Sequence, residues 1–387
     1  FQHIHLDRSK SQVTAGSGVS LDLLLKKIVP AGFFLPVTPG TRNVTIGGAI
    51  AADVHGKNHH LDGSFGNHVS QLIIVDGTGE LKKLSPNNNA SSEERNQFWA
   101  TIGGMGLTGV VVEATFSLIP ISTSLISVDT SRHQDLEELM DAMTLADNQY
   151  QYSVAWVDSL NRKGRGVLTC GDHAVPEQLG STTKNKDPLH YDPKSLASAP
   201  SFLPNGLLNK LTVGAFNETW FRKSPKRRKE ELQEIAPYFH PLDGVQDWNK
   251  IYGSKGFLQY QFAVPDSYSH LITHSLESLR KIGAPSFLTV LKRFGPENLS
   301  PLSFPIKGWT LASDIPLSVP NLEETLLKLD EKVAEAGGRI YLAKDSRQSA
   351  TMFRSTYPKL NEWQNVQKSL DPNKIFCSDL AKRIQLI

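Results

Sequence analysis

The chain has 387 residues, 39% hydrophobic and 21% charged, which suits about two to three structural units and excludes wholesale disorder, collagen and coiled coil. Lysine plus arginine number 41 against 39 acidic residues, and a formal charge of +2 argues against a dedicated nucleic-acid binder. Two cysteines, Cys170 and Cys377, exclude a disulfide scaffold and a cysteine-rich zinc site, and Glu113 and Pro120 interrupt the most apolar window before it could span a membrane.

The chain opens Phe1-Gln2-His3-Ile4, without methionine and inside what reads as a strand, so further residues are expected upstream. Leu21, Leu24, Leu25 and Ile28 recur at helical spacing before Pro30, predicting a helix over 21–28. Gln71–Val75 and Glu80–Leu84 flank Asp76-Gly77-Thr78-Gly79, a hairpin signal because Asp-Gly tolerates positive φ. A helical 96–100 and a strand over Val110–Phe116 follow. From about 124 the texture changes. Leu136, Leu139, Met140 and Met143 predict one helix, and Ile272, Leu276 and Leu279 a second that stops near Gly283. A third should start from an Asn321 cap with Glu324 as its capping-box partner and end at Gly337-Gly338. Strands are expected over Tyr152–Trp156, Gly256–Val264 and Ser286–Leu291. Residues 174–206 hold five prolines and few periodic apolar positions, as in a long loop or mobile flap, and receive no secondary structure. The stretch from 339 returns to short pieces. The pattern is an α+β chain: a first domain over 1–123, a second over 124–338 with helices on one face of an antiparallel sheet, and a return to the first over 339–387.

The densest cluster of candidate functional residues runs from Thr38 to His60. Its glycines and alanines either let the backbone approach a flat or phosphorylated ligand or form a small-residue packing seam. His55, His59 and His60 invite a metal reading, which Gly56 between them and the sparse carboxylates disfavour; one histidine over a ligand is the better fit. Gly104-Met105-Gly106-Leu107-Thr108-Gly109 matches GxGxxG, but a helix precedes it and a β-branched run follows, the reverse of a dinucleotide fingerprint. Six of the eight residues from Arg222 to Lys229 are basic, either a solvated face or a dock for anionic lipid headgroups. Gln259 and Gln261 share one strand face, facing a polyhydroxyl ligand or solvent, and Lys344 by itself reads as a surface residue.

Several segments together carry a resemblance running from residue 1 to 387. They include Pro39-Gly40-Thr41-Arg42, Thr45–Ala51, His55-Gly56-Lys57-Asn58-His59-His60, Gly63–Val69 and Phe98-Trp99-Ala100-Thr101. Further on come Pro204–Leu207, Gly256–Phe262, Pro301–Pro305, Lys344-Asp345-Ser346-Arg347 and Ser378–Ala381. In these the chain resembles the decaprenylphosphoryl-β-D-ribose 2′-oxidase family of vanillyl-alcohol oxidase-type flavoenzymes. The Phe-Trp-Ala and glycine-rich piece marks the wider superfamily; the His-Gly-Lys-Asn-His-His and Lys-Asp-Ser-Arg segments are narrower.

The resemblance implies a PCMH-type FAD-binding domain built from both chain ends and an inserted substrate domain. It implies non-covalent FAD held by Gly40, Thr45, Ile46, Gly47, Gly48, Ala52, Asp53, Val54, His55, Gly56, Lys57, Asn58, Val111 and Tyr341, while the family's upstream pyrophosphate loop has no counterpart here. Lys344 and His55 would be catalytic, and Lys57, Trp220, Gln261, Lys292, Phe294 and Lys344 would bind substrate; no metal is implied. The family's reaction oxidises the 2′-hydroxyl of a polyprenyl-phosphate ribose to a ketone. An NADH-dependent reductase partner then delivers the arabinose epimer for cell-wall arabinan, on the periplasmic side of the envelope with peripheral membrane association. Two departures stand out: Ala312 replaces the family's inhibitor-reactive cysteine, and Phe239 replaces a tyrosine before His240, with Tyr238 one position earlier. The rival readings are a flavin oxidase of a soluble sugar or lactone, a flavin-binding protein without turnover, and a histidine-ligated metal hydrolase.

Overall fold

Short β-prone runs separated by tight turns pair locally, and in the computed structural model they build a five-stranded and an eight-stranded sheet. The structure describes every residue except 181–186, 195–196, 199–205 and 207. The first sheet takes strands Ile4–Asp7, Gln12–Gly16, Val69–Val75, Leu81–Leu84 and Val110–Ser117, all paired antiparallel. The Asp76 carboxylate makes the predicted hairpin turn, accepting the Thr78 N–H at 2.9 Å and the Glu80 N–H at 3.1 Å. Helix Leu21–Ile28 forms as its spacing requires, and Leu21, Leu24, Leu25 and Ile28 are all buried.

The eight-stranded sheet begins at Leu125–His133 and takes its last strand from Arg339–Ile340, which pairs with Phe262 and Ala263. Alternation divides its faces. Leu258, Tyr260, Phe262, Leu291, Leu311 and Ile315 lie in one apolar core with residues of helices Leu136–Ala146, His270–Lys281 and Leu322–Glu335. On the opposite face Gln259, Gln261 and Ala263 stand beside their partners Asp314, Ala312 and Thr310, with Lys292 beside Thr310. Ile126, Val128 and Tyr152, on that same face, join the core of the first sheet. The polar row is thereby turned toward the first unit. Beyond it, Phe353, Leu360 and Trp363 of the C-terminal helices cluster with Ala100 and Leu107, and the Trp363 indole donates to the Ala100 carbonyl at 2.9 Å.

Three expectations need correction. Asn321 is left-handed at φ 58° and its side chain caps nothing; Glu324, free of any capping box, pairs with Lys328 at 2.6 Å. The strand expected from Ser286 runs from Thr289 to Phe294, because Ser286 turns its hydroxyl to the Leu288 carbonyl and its own carbonyl to Ser159. Within 174–206, Pro176–Gln178 forms a 3-10 turn and Ala197–Ser198 a short strand pairing with Val245–Gln246, where no secondary structure was assigned; the rest of the flap expectation falls largely outside the described residues. Helix Ser92–Thr101 before Gly104 and strand Val110–Ser117 after Gly109 confirm the reversed glycine motif.

Candidate active site

Three segments meet at His55. The first is the turn after helix Ile46–Ala51, whose N-terminus is capped by the Thr45 hydroxyl accepting the Gly48 N–H at 3.1 Å. Asp53 then enters the left-handed region at φ 42°, a conformation costing an L-residue about 1–2 kcal/mol. Its buried carboxylate offsets this by accepting the Gly66 N–H at 2.8 Å and the Asn298 side-chain amide at 2.7 Å. Burial nevertheless raises its pKa to about 6. A Cβ on Gly56 would lie 2.6 Å from Asn58 Oδ1 and 3.1 Å from the Thr38 carbonyl, so this close approach requires glycine.

The polar face of the large sheet is the second segment, and Tyr341–Arg347 the third. Tyr341 donates its hydroxyl to the Ala52 carbonyl at 3.2 Å and stacks on Phe304 at 4.5 Å. The His55 ring lies 5.4 Å from Tyr341 and meets Phe294 edge-on at 4.8 Å. Its Nδ1 is 3.2 Å from Lys292 Nζ and its Nε2 3.1 Å from Gln261 Nε2. Gln261 also donates to the Thr310 hydroxyl at 3.1 Å, and Thr310 donates to the Phe262 carbonyl at 2.8 Å. Lys344 is held from both sides: Arg347 pairs with buried Asp330 at 2.7 Å, and Asp345 with Arg383 at 3.0 Å.

The site is rich in basic side chains. Burial, then the charges of Lys292, His59 and Lys344, hold His55 well below the usual histidine value. Lys292 falls to about 7 through burial and then the charges of Lys344 and Lys57. Lys57 also falls to about 7 through burial; it donates to the Tyr238 carbonyl and lies 4.1 Å over that residue's ring. Burial lowers Lys344, with Asp314 opposing, and among the described residues its ammonium has no hydrogen-bond or ion-pair partner. Asp314, raised to about 6 by burial, accepts from Gln259 at 2.8 Å through one oxygen. Its other oxygen and Gln261 Oε1 are buried without partners.

His55, Lys57, Gln261, Lys292, Phe294, Tyr341 and Lys344 are thus brought together. Trp220 is not among them: it stands half-exposed on helix Lys210–Lys223, stacked 6.3 Å from Phe216. Gln261 is buried and so does not face solvent. His59 accepts the Gly295 N–H at 3.1 Å and lies 3.2 Å from the Ser64 hydroxyl, and His60 lies 3.2 Å from the Tyr150 carbonyl. Among the described residues no group of three His, Cys, Asp or Glu is placed to hold a metal ion. Sequence reasoning missed Thr310 and Asp314. Their signal was polar residues at alternate positions within an apolar strand, Trp309 to Pro316.

Residues 1–85 match the FAD binding domain family, and residues 316–384 match the D-arabinono-1,4-lactone oxidase family. The decaprenylphosphoryl-beta-D-ribose oxidase of Mycolicibacterium smegmatis is 42% identical over 386 residues, covering 99% of this chain and 82% of the relative. The chain belongs to that FAD-dependent oxidase family. An uncharacterized protein from the mprA 5′ region of Streptomyces coelicolor is 36% identical over 95% of this chain and all of its own length. An L-gulono-1,4-lactone dehydrogenase of Mycobacterium tuberculosis is 20% identical over 98% of this chain and 83% of its own.

The residues of this oxidase fit FAD. Gly40, Thr45 and Gly48 are exposed and Gly47 and Ala52 half-exposed, so the turn presents an open strip of backbone and small side chains. A Cβ added at Gly40 would meet nothing within 4 Å. Ile46, Asp53, Val54 and Val111 are buried behind the strip, while Tyr341 closes its far end against Ala52. Gly40, Thr45–Gly48, Ala52–Asn58 and Tyr341 would hold the cofactor, and Lys344 would offer it positive charge.

Proposed function

We propose that the chain oxidises the ribose 2′-hydroxyl of decaprenylphosphoryl-β-D-ribose to the 2′-ketone, the first half of epimerisation to the arabinose form for cell-wall arabinan. The observation that carries this reading is the convergence of Lys57, Lys292 and Lys344 around His55 beside two unpaired buried acceptors, Gln261 Oε1 and Asp314 Oδ2. Buried acceptors left open call for hydroxyl donors such as a sugar provides, and clustered lysines for an anion. Bound FAD supplies the two-electron acceptor. His55 and Gln261 orient the sugar, Phe294 and Phe304 exclude water behind His55, and Lys344 offsets negative charge developing at the reacting centre.

An aromatic track supports a prenyl tail. Tyr252, whose ionisation burial and then the Asp314 charge oppose, stacks on Phe257 at 4.0 Å. From there the track continues through Phe287 to Phe216 and exposed Trp220. Leu211 is 85% exposed on the same helix, and all six basic residues of 222–229, which begin in its last turn, are exposed. This pairing suits peripheral docking on an anionic membrane from the periplasmic side, with the ketone passing to an NADH-dependent reductase. No helix among the described residues is long and apolar enough to cross a membrane.

The match to a lactone oxidase family makes a soluble aldonolactone the rival substrate. The deciding experiment is anaerobic titration of the yellow enzyme with farnesylphosphoryl ribose and, separately, with an aldonolactone. Bleaching by the lipid-linked sugar alone is expected; bleaching by the lactone alone overturns the reading. Lys344→Ala should retain FAD and fold yet lose the bleaching, and unimpaired flavin reduction would remove Lys344 from catalysis.

A further inference from the structure

The hydrogen bonds around His55 have a forced direction. The Phe262 carbonyl can only accept, so the Thr310 hydroxyl spends its single proton there. Thr310 Oγ1 must then accept, which turns the Gln261 amide nitrogen toward it. The same nitrogen faces His55 Nε2, which therefore also accepts. A neutral imidazole carries one N–H, so the proton sits on Nδ1, 3.2 Å from Lys292 Nζ. An ammonium there would set donor against donor. An amine can accept.

We infer that Thr310, acting through Gln261 and His55, holds Lys292 as an uncharged amine in the resting site, and that a phosphodiester docking against Lys292 draws one proton onto it. The second half rests on the proposed substrate; the first does not. The titratable groups facing Lys292 are His55, Lys57 and His59 from the glycine-rich segment and Lys344 from the third, with Asp314 acting beyond Lys344 and Tyr341 against the His55 ring. Three ammonium groups in so enclosed a site would repel one another, and burial favours the neutral form of each. A singly charged phosphodiester reverses that balance by supplying the missing counter-charge. Thr310 is thus a positioning residue, Lys292 the group that gains the proton, and Gln261 Oε1 the acceptor left open for a ligand hydroxyl.

The test uses the FAD-loaded enzyme and farnesylphosphoryl ribose, whose phosphodiester does not itself titrate. Calorimetry near pH 8 in buffers of different ionisation enthalpy should count uptake of about one proton per site. Lys292→Met should abolish the uptake, and Thr310→Val should reduce it. The resting enzyme with nitrogen-15-labelled histidine should show His55 as the Nδ1–H tautomer, and Thr310→Val should mix the tautomers. Tight binding without uptake, uptake surviving in Lys292→Met, or an Nε2–H tautomer at rest would each overturn the inference. Failure of the probe to bind at all would instead overturn the proposed substrate, and the tautomer would still decide the assignment of Lys292.

Discussion

At Asp53 one carboxylate holds a left-handed turn while buried, and its raised pKa gives its stability contribution a sign. A folded-state pKa of about 6 lies above the ordinary 3.8, so the contribution is complete below about pH 4 and lost as pH rises through 6. Asp314 titrates in the same direction. Asp53→Asn should therefore flatten the fall in unfolding free energy between about pH 4 and 6, by up to about 3 kcal/mol. It should also lower stability throughout, because the new amide faces the Asn298 amide, whose own oxygen is occupied by the Ser300 N–H. Urea unfolding across that range checks this; an unchanged slope would locate the titration elsewhere. Ala312 makes a second residue-scale case. It is half-exposed on the polar face between Gln261 and Val290, and it has no thiol. Inhibitors that act by attaching to the family's cysteine should leave the intact mass of this enzyme unchanged after turnover, whereas Ala312→Cys should gain one adduct.

Element by element, periodic residues were legible because the forces that set them are local. Leu21–Ile28 and the Asp76 hairpin came directly from apolar spacing and turn chemistry. Helix Leu322–Glu335 shows where local rules fail: Asn-x-x-Glu is written as a capping box, yet Asn321 enters at φ 58° and its side chain caps nothing. Backbone conformation, not a side-chain bond, is what asparagine supplies there. Asn321→Gly should accordingly be neutral within about 0.5 kcal/mol, and Asn321→Ala should cost about 1 kcal/mol through the disfavoured positive φ. Thermal unfolding of these two variants beside Asn321→Ser distinguishes this from a true cap, because serine would keep a capping hydrogen bond yet carries the same positive-φ cost as alanine. Thr310 and Asp314 escaped notice for a different reason. Their role depends on which strand stands beside theirs, and register is not written in the strand itself.

Across the whole molecule, contacts far apart in sequence join the cofactor turn to the large sheet, and these were the least legible of all. Asp243, in the 3-10 turn Pro241–Gly244 outside both large sheets, is another such long-range contact. Its carboxylate accepts the Thr41 hydroxyl at 2.7 Å, the Arg42 N–H at 2.7 Å and the Asn43 amide at 3.2 Å, while Arg42 also pairs with Asp22 at 2.7 Å. Sequence reasoning found the Pro-Gly-Thr-Arg segment but not its partner two hundred positions later, because nothing local marks an aspartate as the acceptor for a distant loop. That loop follows Gly40 and leads into Thr45, both on the strip that would hold FAD. Among the described residues, Asp243→Ala would leave the Thr41 hydroxyl, the Asn43 amide and the Arg42 backbone N–H without this acceptor and would remove one carboxylate partner of the Arg42 guanidinium, which lies 3.7 Å from it. The fold should survive, since the cores of the two sheets do not include this residue. The loop should become disordered, and the entropy of re-ordering it must then be met by the cofactor on binding. FAD should bind about tenfold more weakly, a difference of about 1.4 kcal/mol, read as flavin fluorescence released on dilution. Retention of FAD at parental affinity would mean that the loop is fixed without Asp243, and that this long-range contact has no bearing on the cofactor.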